Sequence, residues 1–217
     1  FLPLGFMNDN TYSFCCGKTL CYGCVHSVEE VHNWSPEWPC PFCRTPLSEM
    51  SDKEKINRLN KRVEANDAQA MHILAYSHSM GQLGLPQDSK KAIELWLKSA
   101  SMGDVNALYW LGNSYFGGDH VKINTTRAIR YWSRASIMGD VCSRFSLGNY
   151  EAKVVGNMNR AKKHWMIAAS AGHNGALEKI KHGYTSGTVT KDEYERSLRA
   201  HKDSVDEMYS EHRSKAM

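Results

Sequence analysis

One phrase recurs three times in this chain: a helix with Ala four residues before Trp, closing on Gly. Ala92 and Trp96 lead to Met102-Gly103-Asp104, Ala128 and Trp132 to Met138-Gly139-Asp140, and Ala161 and Trp165 to Ala171-Gly172. The three tryptophans stand 36 and then 33 residues apart. Self-similarity at a period of this size is the mark of stacked helical hairpins, each too small to bury its apolar face alone. The expected fold class is therefore mostly α, an α-solenoid of helical hairpin repeats. Such an array usually holds a protein partner.

The 217 residues suffice for one or two domains with a real core. The net charge of +4 is weak, and Lys and Arg alternate with Asp and Glu along the repeats. A nucleic-acid face needs clustered positive charge, so no nucleic-acid partner is expected. No apolar run reaches the length of a membrane span, so no membrane partner is expected and the chain should be soluble. The chain opens on Phe1 rather than Met, and residues are expected to precede it.

The chain divides by composition. Residues 1–50 are rich in Cys, Pro and Gly and form a small loop-rich unit. Ser51-Asp52-Lys53-Glu54 reads as a capping box, Ser hydroxyl and Glu carboxylate each satisfying an early amide, and opens a linking helix within 51–66 with Ile56, Leu59 and Val63 on one face. Hairpins are expected over 67–103, 104–139 and 140–172, the third with a shorter turn between its helices. Small residues let the helices approach, Leu and Trp fill the space between them, and the terminal Gly supplies a left-handed stop. Met102, Met138 and a buried Cys142 are read as packing residues. Residues 173–217 make half a repeat and a long capping helix, opened by a second capping box at Thr190–Glu193 and striped by Tyr194, Leu198, Val205 and Met208. That stripe either docks as a cap or stays open to a partner, docking being the simpler reading.

The repeat resembles the Sel-1-like (SLR) class of tetratricopeptide-type hairpins. The resemblance rests on Ala107-x-x-x-Leu111-Gly112-x-x-Tyr115, on Lys91-Ala92-x-x-x-Trp96 and on the terminal glycines, and covers about 67–182. Tetratricopeptide repeats of the 34-residue kind are the near alternative. The class implies adaptor or scaffold work and no chemistry.

Six of the seven cysteines fall between residues 15 and 43: Cys15, Cys16, Cys21, Cys24, Cys40 and Cys43. Cys21-x-x-Cys24 and Cys40-x-x-Cys43 are separated by fifteen residues. Each knuckle sets two thiolates a tetrahedral edge apart, which is a strong zinc signal, and zinc is the expected cofactor. Metal ligation rather than disulfides implies a reducing compartment, cytoplasmic or nuclear. The simplest assignment puts Cys21, Cys24, Cys40 and Cys43 on one zinc, as in a ribbon. His26 and His32 are read as solvent-facing, with substitute ligation the alternative.

The string Cys16-Gly17-x-x-x-Cys21-x-x-Cys24, followed by Cys40-Pro41-Phe42-Cys43-Arg44, also resembles the RING-type zinc finger, whose two zincs are bound in a cross-brace. The family's first Cys-x-x-Cys has no counterpart here and would precede Phe1. Lys18 stands where many members have a ligating His, and an ammonium cannot bind zinc. The resemblance then implies one zinc on Cys15, Cys16, Cys40 and Cys43, and a second on Cys21 and Cys24 with the missing pair. It also implies a groove for a ubiquitin-conjugating enzyme lined by Trp38 and Pro41, with Leu2 or Leu4, and a ubiquitin-bracing cation at Arg44.

Two functions follow. One is a RING-type ubiquitin ligase or ligase adaptor whose repeats recruit a substrate or adaptor; it needs no nucleophile, since such ligases act by positioning. The other is a non-catalytic zinc-finger scaffold for protein–protein interaction. No Ser/His/Asp or paired-carboxylate constellation supports a hydrolase, so no catalytic residue is expected.

Overall fold

A computed structural model describes residues 10–21, 40, 42–45, 50–119 and 121–208. Strands β1 (Asn10–Tyr12) and β2 (Thr19–Cys21) pair antiparallel, with Thr11 opposite Leu20. Helices follow: α1 (Asp52–Glu64), α2 (Ala68–Met80), α3 (Ser89–Ser101), α4 (Val105–Gly117), α5 (Thr125–Ile137), α6 (Val141–Tyr150), α7 (Met158–Ser170), α8 (Asn174–Thr185) and α9 (Lys191–Met208). The helices α2/α3, α4/α5 and α6/α7 pack as antiparallel hairpins, and each hairpin packs on the next. The fold is mostly α, a solenoid, as the repeat predicts.

Each helix begins where a side chain can accept from its free amides. Asp67, Asp104 and Asp140 cap the first helices of the three hairpins, and Asp88, Asn124 and Asn157 cap the second. The turns between hairpins close on Gly103, Gly139 and Gly172, at φ 91°, 96° and 86°. In the third hairpin, α6 runs on into a π-helical turn at Glu151–Val155, leaving only Gly156 and Asn157 before α7. That is the short connection expected there. The buried Glu151 holds it through an ion pair to Arg160 of 2.9 Å.

The core is built from the repeated phrase. Trp96, Trp132 and Trp165 are buried, among Ala92, Ala128, Ala161 and the leucines of the facing helices. Gly112 and Gly148 leave no room for a methyl group: a Cβ on Gly112 would overlap the Trp132 indole, and one on Gly148 would lie 2.6 Å from that of Trp165. Beside each glycine an asparagine accepts from the indole N–H, Asn113 from Trp132 at 3.1 Å and Asn149 from Trp165 at 3.2 Å. A buried indole needs such an acceptor, and Leu-Gly-Asn supplies it twice.

Three expectations are corrected. Met102 and Met138 are 46% and 45% exposed, because they end their helices rather than pack between hairpins. Leu198 is 44% exposed. The Lys162–Glu193 ion pair, 2.9 Å, turns α9 so that Glu193, Tyr194 and the buried Ser197 face the array. The side chain of Met208 lies outside the described residues. Finally, Ser51 caps α1, but the Glu54 carboxylate accepts from Arg58 at 2.7 Å instead of reaching back to the Ser51 amide. The box at Thr190–Glu193 does close, with both reciprocal bonds made.

Candidate metal centre

Two tight turns bring four sulfurs together. The first, between β1 and β2, is closed by the Ser13 carbonyl accepting from Cys16 and Gly17, and by the Ser13 amide on the Lys18 carbonyl at 2.8 Å. Gly17 sits at φ 69°, which a side chain would strain. The second is Cys40–Thr45, closed by Arg44 N–H on the Cys40 carbonyl and Cys40 N–H on the Thr45 carbonyl, both 2.8 Å. Arg44 takes the same left-handed conformation, φ 57°, and is exposed.

The sulfurs of Cys15, Cys16, Cys40 and Cys43 all lie within 4.8 Å of one another, with Cys16 and Cys40 at 3.6 Å. None of the four is in a disulfide. Sulfurs around a tetrahedral zinc stand roughly 3.8 Å apart, given bonds of about 2.3 Å. Four thiols so arranged fit a closed site for zinc, or for a single iron. Their protonation states divide by turn. Burial, with hydrogen bonds to Cys40 and Cys43, pushes the Cys15 thiol well up, and burial raises Cys16 too. Burial works the same way on Cys40, but the amides of Cys43 and Phe42 outweigh it and bring the group below its ordinary value. The hydroxyl and amide of Thr45 bring Cys43 down to about 6. The second turn thus favours the thiolate, the form that binds metal, more than the first does.

The hairpin is seated on the helices. Tyr12 and Phe14 pack against Leu59, Ala70 and Leu74. Thr19 donates to Gln69 of α2 at 2.7 Å, and Arg58 of α1 donates to the Cys15 carbonyl at 3.3 Å. These anchors were invisible in the sequence, since one of them reaches a main-chain oxygen rather than a cysteine side chain. Thr45, two residues past Cys43, was in plain view and unread.

Of the remaining candidate residues, Cys24, Trp38, Pro41, His26, His32, Leu2, Leu4 and the side chain of Cys21 lie outside the described residues. Among the described residues no helix is long and apolar enough to cross a membrane.

The Sel1 repeat family model matches residues 68–104 and 105–140. Among solved structures, a Sel1 repeat protein from Oxalobacter formigenes is 24% identical with a TM-score of 0.62, over 73% of this chain and 67% of that one. A protective antigen of uropathogenic Escherichia coli displaying an SLR fold, c5321, is 20% identical with a TM-score of 0.61. That match covers 84% of this chain but 37% of the antigen. A comparison with curated proteins returned no match. These likenesses speak to fold, and the family match falls on the first two hairpins. The chain is an α-solenoid, two of whose hairpins match the Sel1 repeat model.

Proposed function

We propose that the chain is a protein-binding scaffold whose Sel1 repeats recruit a partner protein, and whose N-terminal unit is held by one zinc on Cys15, Cys16, Cys40 and Cys43. The gathering of those four sulfurs carries the reading. The nearest members of the two pairs, Cys16 and Cys40, lie 24 residues apart in sequence. The unit has little core of its own, so a metal that crosslinks the two turns supplies much of its folding free energy. Zinc here is structural. The thiols require a reducing compartment, in keeping with a cytoplasmic or nuclear protein.

A finer reading, a RING-type ubiquitin ligase, is favoured by one observation. Cys40 and Cys43 stand against Cys15 and Cys16, the pairing that a cross-brace requires and that a ribbon on Cys21 and Cys24 does not. Arg44, exposed directly after the last ligand, is positioned to meet a second protein, and its guanidinium can bridge two surfaces.

One experiment separates the possibilities. Native mass spectrometry and metal analysis of the chain purified under reducing conditions should find one zinc, lost in Cys16→Ser and in Cys40→Ser. A metal-free chain would sink the zinc reading, and iron in its place would change the metal. The zinc-loaded chain is then incubated with activating enzyme, ubiquitin and a panel of conjugating enzymes. Ubiquitin transfer that Arg44→Ala abolishes while retaining zinc supports the ligase; no transfer with any enzyme leaves the non-catalytic scaffold.

A further inference from the structure

A solenoid exposes an unpaired apolar face at each end, and each end needs a cap. At the C-terminal end α9 covers α7 and α8, pinned by Lys162 and Glu193. At the N-terminal end, the first helix of the first repeat is covered by α1 and by the β1–β2 hairpin, with Tyr12 and Phe14 over Leu59, Ala70 and Leu74. The cysteine turn is the tip of that hairpin.

We infer that the metal-loaded four-cysteine centre is the N-terminal cap of the solenoid, and that Arg58 and Arg62 of α1 tie it to the first repeat and balance its charge. The inference rests on the metal reading above. Four thiolates around a divalent cation carry a net charge of −2, and such a centre needs donors and positive charge in its outer shell. Arg58 and Arg62 lie one helical turn apart. Arg58 donates to the carbonyl of the ligand Cys15 at 3.3 Å. Arg62 lies so close under Gly17 that any Cβ there would overlap its guanidinium. Its Nη1 also lies 3.4 Å from Oδ2 of Asp67, whose other oxygen accepts from the amides of Gln69 and Ala70. The contacts therefore run without a break from the ligand turn through Arg62 to the N-cap of α2.

The consequence is a coupling: metal occupancy sets how firmly the first repeat is held. Hydrogen exchange on the wild-type chain, zinc-loaded and then stripped by chelator under reducing conditions, reads it directly. Stripping should cost residues 52–80 their amide protection while 141–185 keep theirs. Chelator competition supplies the second readout, with Arg58→Gln/Arg62→Gln expected to bind zinc about 10–100-fold more weakly. Arg62→Lys, which keeps the charge, should recover part of that loss. If the wild-type chain binds no metal, the reading beneath this inference fails first. Wild-type zinc binding with unchanged protection of 52–80 on stripping overturns the cap alone, as does equal affinity in the double variant. Should that variant not fold, the wild-type exchange experiment decides by itself.

Discussion

At the scale of single residues, the array is set by where a side chain is absent. Gly112 lies directly against the Trp132 indole, so the two helices of the hairpin meet closer than any other residue allows. Ala at a helix interior is ordinarily better than Gly by about 1 kcal/mol. Here the added methyl must displace a buried indole that is also hydrogen-bonded to Asn113. Gly112→Ala is therefore expected to lower stability by about 1–3 kcal/mol, as overpacking does, seen as a lower urea midpoint with an unchanged slope. A neutral or stabilising result would show that the close approach does not matter. Such a glycine was legible, since Leu-Gly recurs in phase with Trp. Burial was less so: Met102 and Met138 recur just as faithfully yet are half exposed. They recur because the backbone ends a helix there, and a repeat conserves cap geometry as well as core. At the cysteines, spacing pointed to Cys40 and Cys43, and only the RING resemblance set Cys15 and Cys16 beside them; their backbone-mediated anchorage on Arg58 left no trace in the pattern.

At the scale of elements, the N-caps carry the period as firmly as the tryptophans do. Asp104 and Asp140 follow the terminal glycines and so read as tails of one helix, yet each opens the next. In the fourth unit the same place is held by His173, whose Nδ1 accepts from Ala176 N–H at 3.1 Å while its ring stacks on Phe145. Only the unprotonated Nδ1 can accept. Burial holds the imidazole below its ordinary value, so the folded state prefers it neutral. The cap is then fully present above about pH 6.5 and is lost as the pH falls below that. We expect Ala176 and the first turn of α8 to lose amide protection as the pH falls below about 6.5, worth about 1 kcal/mol for a cap. His173→Asn caps without titrating and should remove that dependence. Equal pH dependence in both proteins would place the effect elsewhere.

At the scale of the whole molecule, stability is distributed along a line of hairpins, so a perturbation at one interface is felt mostly by its neighbours. The first interface carries a titratable group. His72, on α2, is mostly buried, with 13% of its side chain exposed, and burial alone brings it down to about 4. Its Nδ1 lies 4.0 Å from Asp104 Oδ1, an oxygen already engaged by the Ala107 amide at 2.6 Å. The unfolded chain takes up the His72 proton near pH 6.5 and the folded chain only near pH 4, so between these values the unfolded state binds more protons. Stability must therefore fall as the pH is lowered through that window, by about 3 kcal/mol from this residue between pH 7 and pH 4. Asp104 acts the other way, since burial raises its carboxyl, but it does so only as the pH nears the carboxylate range. Urea unfolding at pH 7 and pH 5, comparing wild type with His72→Gln, measures the effect. The wild type should lose stability on acidification and the variant should lose less, with the first hairpin releasing before the third in hydrogen exchange. A wild-type chain as stable at pH 5 as at pH 7 would mean that His72 gains a partner when protonated, with Asp104 turning from the helix cap to take that role.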